Sequence, residues 1–176
     1  MLGYSTIAHS GYLALILGAG GDLTGEALLV YLTAYAPAVV AALCIVAALG
    51  PVDRDGLRGL LRMHPLAGGA LALALLSMAG LPPSAGFLGK VYLFSALAGA
   101  GAWGLLAAAA LGAALGFVYY LRFAVSACAA DEGIAPRTKL ALTPAARGML
   151  VAAIALLLLP GVYPEPLLAV VAAALP

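Results

Sequence analysis

The stretch LLSMAGLPPSAGFLGKVYLF, Leu75–Phe94, decides how this chain folds. Both of its ends are apolar, but its middle, Gly80–Gly86, holds two adjacent prolines between glycines. Each proline removes a backbone donor and disfavours helical geometry in the residue before it, and glycine permits unusual backbone angles. The stretch therefore predicts two half-helices that are joined by a short extended link.

The composition of the whole chain is typical of a membrane protein. Of its 176 residues, 65% are hydrophobic and 9% are charged, and the mean hydropathy is +1.14. A soluble domain usually carries about 25% charged residues, so this chain lacks the side chains that cover a water-facing surface. That excludes an ordinary soluble enzyme and a disordered tail. A net charge of +1 without a basic run excludes a nucleic-acid binder. Cys44 and Cys128 are too few for a disulfide framework.

Five apolar segments are long enough to cross a membrane, which takes about 20 residues. They lie at about 2–19, 26–49, 65–100, 103–128 and 147–171. The expected fold is all-α: a single polytopic membrane domain over residues 1–176, with five transmembrane helices, the third broken at Gly80–Gly86. The alternative is a loop between two complete spans, but the halves of the third segment have only about 16 and 14 residues.

The basic residues of the connections predict the orientation, because lysine and arginine concentrate in cytoplasmic loops. They occur in 50–64 and 129–146, and they are absent from the other two connections and from the C-terminal tail. We therefore expect the N-terminus and both basic loops on the cytoplasmic side and the C-terminus outside. Two complete spans in place of the broken one would put Arg137 and Lys139 outside.

Lys90 lies just past the break, ten residues or about 15 Å from Ala100. That is half of a hydrocarbon core about 30 Å thick. A charge at this depth costs at least about 2.5–3.5 kcal/mol, and such residues usually mark an ion or proton path. We predict that Lys90 is a proton relay. The alternative is a structural lysine with a carboxylate partner from outside this chain, whose own acidic residues lie in loops or at span ends.

His9 is a second ionisable residue inside a predicted span. Because histidine titrates near neutrality and can pass a proton at either ring nitrogen, it is a possible second relay. The alternative is a buried histidine that is hydrogen-bonded to a neighbouring helix. Further candidates for a water-lined path or a gate are Ser5, Ser77, Pro82, Pro83, Ser84 and Gly86. Arg122 is expected to reach the cytoplasmic interface, with Tyr119 and Tyr120 as interfacial anchors.

Three stretches, in order, resemble one family. They are LGYSTIAHSGY at 2–12, the stretch quoted first, and YYLR at 119–122. They are similar to parts of three helices of subunit N of bacterial NADH–quinone oxidoreductase, respiratory complex I. GLPPSAGFLGK is typical of the wider antiporter-like superfamily, which also includes subunits L and M and the multi-subunit cation/proton antiporters. Subunit M usually carries a glutamate at the position of Lys90, which argues against it. The resemblance covers nearly the whole chain and is weakest after Asp131.

The resemblance implies a proton-translocating subunit of the membrane arm, in a bacterial inner membrane, that couples NADH oxidation by quinone to proton pumping. Lys90 matches a lysine of the outward half-channel, and His9 matches the family histidine. The implied partners are the bilayer and other membrane-arm subunits, including neighbouring antiporter-like subunits. We expect no cofactor, metal or redox centre in this chain, because its sequence holds no ligand cluster; NADH, FMN, iron–sulfur clusters and quinone would belong to other subunits of the implied complex.

The resemblance is to the C-terminal part of the subunit only. A glutamate and lysines on earlier helices of the family have no counterpart here. We therefore expect either a biological C-terminal fragment or a truncated gene model with Met1 as an internal methionine. Two alternatives stay open. One is a subunit of a sodium/proton antiporter, which shares the fold and the lysine. The other is a non-conducting assembly scaffold, because Lys90 lacks an acidic partner within the chain.

Overall fold

The computed structural model describes residues 2–50, 53–129 and 140–175. Within these ranges the chain is helical and has no strand, as the composition predicts. The α-helices are α1 (Leu2–Ala19), α2 (Thr24–Leu49), α3 (Leu60–Met63), α4 (Pro65–Ala79), α5 (Ala85–Gly99), α6 (Trp103–Cys128), α7 (Pro144–Val162) and α8 (Glu165–Ala174). A short 3₁₀ turn, Asp55–Leu57, precedes α3. Met1, Arg137 and Lys139, which entered the sequence-based predictions, lie outside the described residues.

Three helices, α2, α6 and α7, are long and apolar enough to cross a membrane on their own. The helices α4 and α5 are apolar but have only 15 residues each, and α8 has 10. α1 has 18 residues and includes the polar run Tyr4–Ser10. These lengths and compositions are those of a multi-pass membrane protein.

The centre of the bundle is α4, which packs against α2, α6 and α7. It buries ten of its 15 residues, most of them alanine or glycine. Small side chains let helix backbones approach closely, as membrane helices commonly do. A second apolar cluster joins α1, α2, α5 and α6, and Tyr35 of α2 packs against both clusters.

At one end of the bundle the turn after α1 lies beside the turn after α5. A Cβ atom at Gly21 would be 3.6 Å from the Cβ of Ala100. The end of the described chain lies close by, because a Cβ at Gly25 would be 2.9 Å from a methyl group of Leu175. We call this the Ala100 end of the bundle.

The connection between α2 and α4 lies against the residue that follows α6. The backbone N–H of Gly59 donates to the carbonyl of Ala129 at 3.0 Å. We call this the Ala129 end. α4 begins soon after Gly59, and α5 runs into the turn at Ala100.

The segment 147–171, predicted as one helix, contains parts of two helices, so that prediction was wrong. α7 ends at Val162 and α8 begins at Glu165. Pro164 disfavours helical geometry in the residue before it, and Tyr163 has φ −132° and ψ 84°, outside the helical region. Pro160 lies inside α7 and does not end it. The described chain therefore finishes with a separate short helix.

Candidate functional site

The candidate site is built around the five residues between α4 and α5. Gly80 ends α4 with a φ of +83°, in the left-handed region that favours glycine. The hydroxyl of Ser84 donates to the carbonyl of Leu81 at 2.6 Å and closes a turn before α5. Between them lie Pro82 and Pro83, joined by a cis peptide bond.

The first turn of α5 lies directly against the last turns of α4. The backbone N–H of Gly86 donates to Oγ of Ser77 at 3.0 Å. A Cβ atom at Gly86 would overlap the carbonyl group of Ser77, so the close approach requires a glycine. The serine thus satisfies one of the N–H groups that the start of a helix leaves without a partner.

Lys90, in the second turn of α5, is buried, with 8% of its surface exposed. Its ammonium donates to the carbonyl of Ala79, the last residue of α4, at 2.5 Å. The last carbonyls of a helix have no partner within it, and they attract cations. An ammonium has three hydrogens to donate, and this is its one hydrogen bond to the described part of the chain.

His9, on α1, is also buried, with 4% exposed. Its Nδ1 lies 2.7 Å from the hydroxyl of Tyr31, and its Nε2 lies 3.2 Å from the hydroxyl of Tyr120. The ring of Tyr35 stacks on the imidazole at a centroid distance of 4.2 Å. Three helices therefore fix the position of this ring.

A chain of hydrogen bonds links His9 to α4. The hydroxyl of Tyr120 lies between Nε2 of His9 and Oγ of Ser5, which is 2.5 Å away. Either hydroxyl of the Ser5–Tyr120 pair can donate, and Ser5 Oγ also lies 3.7 Å from the sulfur of Met78. Both ring nitrogens of His9 thus have a hydroxyl partner, which can donate to a bare nitrogen or accept from an N–H group.

One small cavity joins the two ionisable residues. It offers about 10 Å³ to the centre of a water molecule, enough for about one water. Its polar lining comes from His9, Tyr31, Tyr35, Ser77 and Lys90. Among the described residues that line it, none is acidic, so Lys90 is held there by a backbone carbonyl and not by a carboxylate.

The structure brings together part of the set predicted from the sequence. Lys90, His9, Ser77 and Gly86 line the same cavity. Ser5 is linked to His9 through Tyr120. Pro82, Pro83 and Ser84 do not line the cavity and form the link beside it.

Sequence reasoning missed the tyrosines around the imidazole. Tyr31 and Tyr35 were not predicted as site residues, and Tyr120 was expected at the interface. Tyr120 is in fact 4% exposed, whereas its neighbour Tyr119 is 36% exposed and Arg122 is exposed. The two tyrosines are consecutive residues of one apolar helix, so the hydropathy of the sequence does not show which of them is buried. In the described residues, no group of three or more histidine, cysteine or acidic side chains is arranged to hold a metal ion.

Comparison with known proteins identifies the class to which this fold and site belong. The model of the family described as "NADH:quinone oxidoreductase/Mrp antiporter, TM" matches residues 1–116. The chain therefore belongs to this family of antiporter-type transmembrane proteins, as its motifs predict.

The relatives with curated names point to one branch of the family. The chain is 54% identical over 137 residues to NADH-quinone oxidoreductase subunit N of Rhodopseudomonas palustris, a match that covers 77% of this chain and 30% of the relative. It is 47% identical to subunit N of Cereibacter sphaeroides, over 100% of this chain and 39% of the relative. It is 41% identical to subunit 14 of Thermus thermophilus, over 98% of this chain and 40% of the relative.

A solved structure shares the fold. It is described as respiratory complex I from Thermus thermophilus with bound aureothin, and one of its chains matches with a TM-score of 0.83 and 40% identity. The match covers 96% of this chain and 38% of that one. The chain thus spans about two-fifths or less of the length of these relatives.

Proposed function

We propose that this chain is the C-terminal portion of a proton-translocating membrane subunit of NADH–quinone oxidoreductase, with Lys90 as its proton relay. The single observation that carries the proposal is that Lys90 and His9, both buried, line one cavity the size of a water molecule. Ionisable side chains inside a membrane bundle are costly and usually mark an ion or proton path. The names of the relatives support the same function.

Lys90 has the surroundings that a relay needs. The carbonyl of Ala79 stabilises the ammonium, so the charged form has a partner at membrane depth. That partner carries no full charge, so the lysine can also lose its proton without leaving a buried carboxylate unpaired. One proton of the ammonium can pass to water in the cavity, which leaves a neutral amine, and one returning proton restores the ammonium.

His9 would exchange protons with the same water or through its hydroxyl neighbours. A neutral imidazole can take up a proton at one ring nitrogen as it releases the proton on the other. Tyr31 and Tyr120 hold those two nitrogens, and so they set which tautomer faces the cavity. Protons would pass between His9 and Lys90 and leave toward the outer face, and NADH oxidation by quinone in other subunits would drive the transfer.

We also propose that α4 and α5 together make one interrupted span, in a bundle of five. α4 begins soon after Gly59, which bonds to Ala129, whereas α5 ends beside Gly21. Two complete spans joined by a loop would begin and end on the same side of the membrane. The other spans would be α1, α2, α6 and α7, with α8 at the Ala100 end.

In this arrangement the N-terminus and the loops 50–64 and 129–146 are cytoplasmic, and the C-terminus is outside. Support comes from the basic residues of these loops. The partners would be the bilayer and other membrane-arm subunits, including neighbouring antiporter-like subunits. NADH, FMN, iron–sulfur clusters and quinone would bind in other subunits of the complex.

The test is Lys90→Ala in the full-length subunit, in assembled complex that is reconstituted into vesicles. Proton uptake during NADH oxidation, followed with a pH-sensitive dye, is expected to fall on the order of tenfold or more, as for other groups that transfer protons. The matched control is Arg147→Ala, because Arg147 is an exposed cation on α7. Unchanged pumping by assembled Lys90→Ala complex would contradict the proposal and would favour a scaffold.

A subunit of a sodium/proton antiporter would belong to the same family. The same reconstituted vesicles distinguish that function from the one proposed here. A complex I subunit moves protons only while NADH is oxidised. Proton movement that requires a sodium gradient and ignores NADH would assign the chain to a sodium/proton antiporter.

A further inference from the structure

A groove of about 500 Å³ lies along α6, away from the cavity of Lys90. Two arginines line it: Arg122 of α6, and Arg54 from the connection that follows α2. The rest of its lining comes from residues of α6 between 117 and 126, most of them apolar. It shares no residue with the cavity of the candidate site.

The depth of the groove matches the boundary between lipid headgroups and acyl chains. α6 has 26 residues, about 39 Å, and exceeds a hydrocarbon core of about 30 Å. Arg122 lies six residues, about 9 Å, before the end of α6 at Cys128. A long arginine side chain at that depth carries its guanidinium to the interface. Phe117 and Val118 lie about one turn deeper, in the acyl-chain region.

The apolar wall of the groove is open in the described part of the chain. Val118 is 52% exposed and Val125 is 57% exposed. α6 is long and apolar enough to cross a membrane, so Val118 lies where acyl chains run, whereas Val125 lies on the headgroup side of Arg122. A lipid tail can follow this wall while its headgroup stays beside the arginines.

The charges favour an anionic headgroup. Two guanidinium groups border the groove, and none of the described residues that line it is acidic. Arginine binds phosphate through two parallel hydrogen bonds. A choline headgroup would bring its own cation close to both arginines, whereas a headgroup with a net negative charge meets only attraction. An apolar helix of a neighbouring subunit would leave both guanidinium groups without a counter-charge.

We propose that this groove binds an anionic phospholipid, with Arg54 and Arg122 as its phosphate ligands and the apolar face of α6 as the seat of an acyl chain. Each arginine near a membrane surface is expected to contribute about fivefold in affinity for such a lipid. The proposal is independent of proton transfer at Lys90.

The experiment uses assembled complex in phosphatidylcholine vesicles that contain a trace of photoactivatable lipid. Phosphatidylglycerol and phosphatidylcholine probes carry the same diazirine on the same acyl chain, and labelled peptides are identified by mass spectrometry. Labelling within 117–126 is expected to be on the order of tenfold stronger, or more, with the phosphatidylglycerol probe, because each of the two arginines contributes about fivefold. Arg54→Gln combined with Arg122→Gln should lower that labelling on the order of tenfold, to the phosphatidylcholine level. The control, Arg147→Gln, should leave it unchanged, because Arg147 does not line the groove.

Equal labelling by the two probes in the unaltered protein would overturn the proposal, and so would labelling that the double substitution leaves unchanged. Labelling of 117–126 by neither probe would show that a protein segment covers the groove, and it would overturn the proposal as well. If the double variant does not assemble, Arg54→Gln alone, in an exposed loop, is compared with the unaltered protein. It should lose about fivefold of the labelling by phosphatidylglycerol.

Discussion

The ammonium of Lys90 donates a hydrogen bond to the carbonyl oxygen of Ala79 at a distance of 2.5 Å. The lysine belongs to α5 and the alanine ends α4, so the bond exists only because the chain turns between them. The negative end of the α4 dipole partly offsets the cost of a buried cation. The interruption of the helix therefore supplies the hydrogen-bond acceptor of the buried lysine.

Gly80→Ala should weaken the hydrogen bond between Lys90 and Ala79. The backbone of Gly80 has a φ of +83°, and a Cβ there would come within 2.5 Å of Cδ of Lys90. The left-handed backbone alone costs an alanine about 1–2 kcal/mol, and the lysine side chain must move as well. We expect a lower temperature of dissociation of the assembled complex, together with lower proton pumping.

A second glycine provides the control for that substitution. Gly104, in the first turn of α6, has no atom within 4 Å of a built Cβ. Gly104→Ala should leave the dissociation temperature unchanged or raise it slightly, because alanine is the better helix former. Equal losses for Gly80→Ala and Gly104→Ala would contradict the role given to Gly80.

Ser77→Ala should separate the two turns that meet at the break. It removes the acceptor of the Gly86 N–H group, and a polar group that is left unsatisfied away from water costs about 1–3 kcal/mol. The control is Ser95→Ala, at an exposed position of α5. Thermal dissociation of the complex measures both, and a loss for Ser95→Ala as large as for Ser77→Ala would argue against the bond to Gly86.

Tyr120→Phe should disturb His9 without changing the shape of the core. The change removes the hydroxyl that lies between Nε2 of His9 and Ser5, so both lose the hydrogen-bond partner that links them. We expect proton pumping to fall several-fold while the complex still assembles, as the loss of a buried partner worth about 1–3 kcal/mol implies.

Its neighbour is the matched control. Tyr119→Phe removes a hydroxyl from a residue that is 36% exposed, and pumping should stay within error of the unaltered protein. If Tyr119→Phe lowers pumping as much as Tyr120→Phe does, the hydrogen-bonded chain through Tyr120 is not part of the path.

The local features of the site could be predicted from the sequence. Prolines and glycines act on the backbone at and next to their own positions. The end of α4 at Ala79 and the start of α5 at Ala85 therefore fall beside the glycines and prolines of the link. The depth of Lys90 in the membrane stays a prediction, which comes from counting residues along an apolar segment. His9 stands out because an ionisable group is rare in such a helix.

The partners of His9 could not be predicted in this way. Tyr31 and Tyr120 reach it from α2 and α6, and the rotation of each helix is set by contacts with the others. In a membrane the lipid-facing side of a helix is as apolar as its packed side. Hydropathy therefore does not distinguish Tyr120 from Tyr119, although one is buried and the other is partly exposed.

The extent of the last predicted helix was misjudged for a different reason. Pro160 and Pro164 both lie in the apolar segment that was predicted as one helix, yet α7 continues through Pro160 and ends before Pro164. A proline inside an apolar helix is tolerated where neighbouring helices hold the chain. Which of two prolines ends a helix thus depends on packing that one sequence does not display.

We propose that His9 and Lys90 serve one proton path through the cavity that they share. A double-mutant cycle tests it most directly: Lys90→Ala, His9→Leu and both together, each in assembled complex, with the rate of proton pumping driven by NADH as the measurement. Residues that act together are strongly non-additive, whereas independent sites add in free energy. If the two residues share one path, the double variant should pump no more slowly than Lys90→Ala alone. Losses that multiply would contradict it and would place the two residues on separate paths.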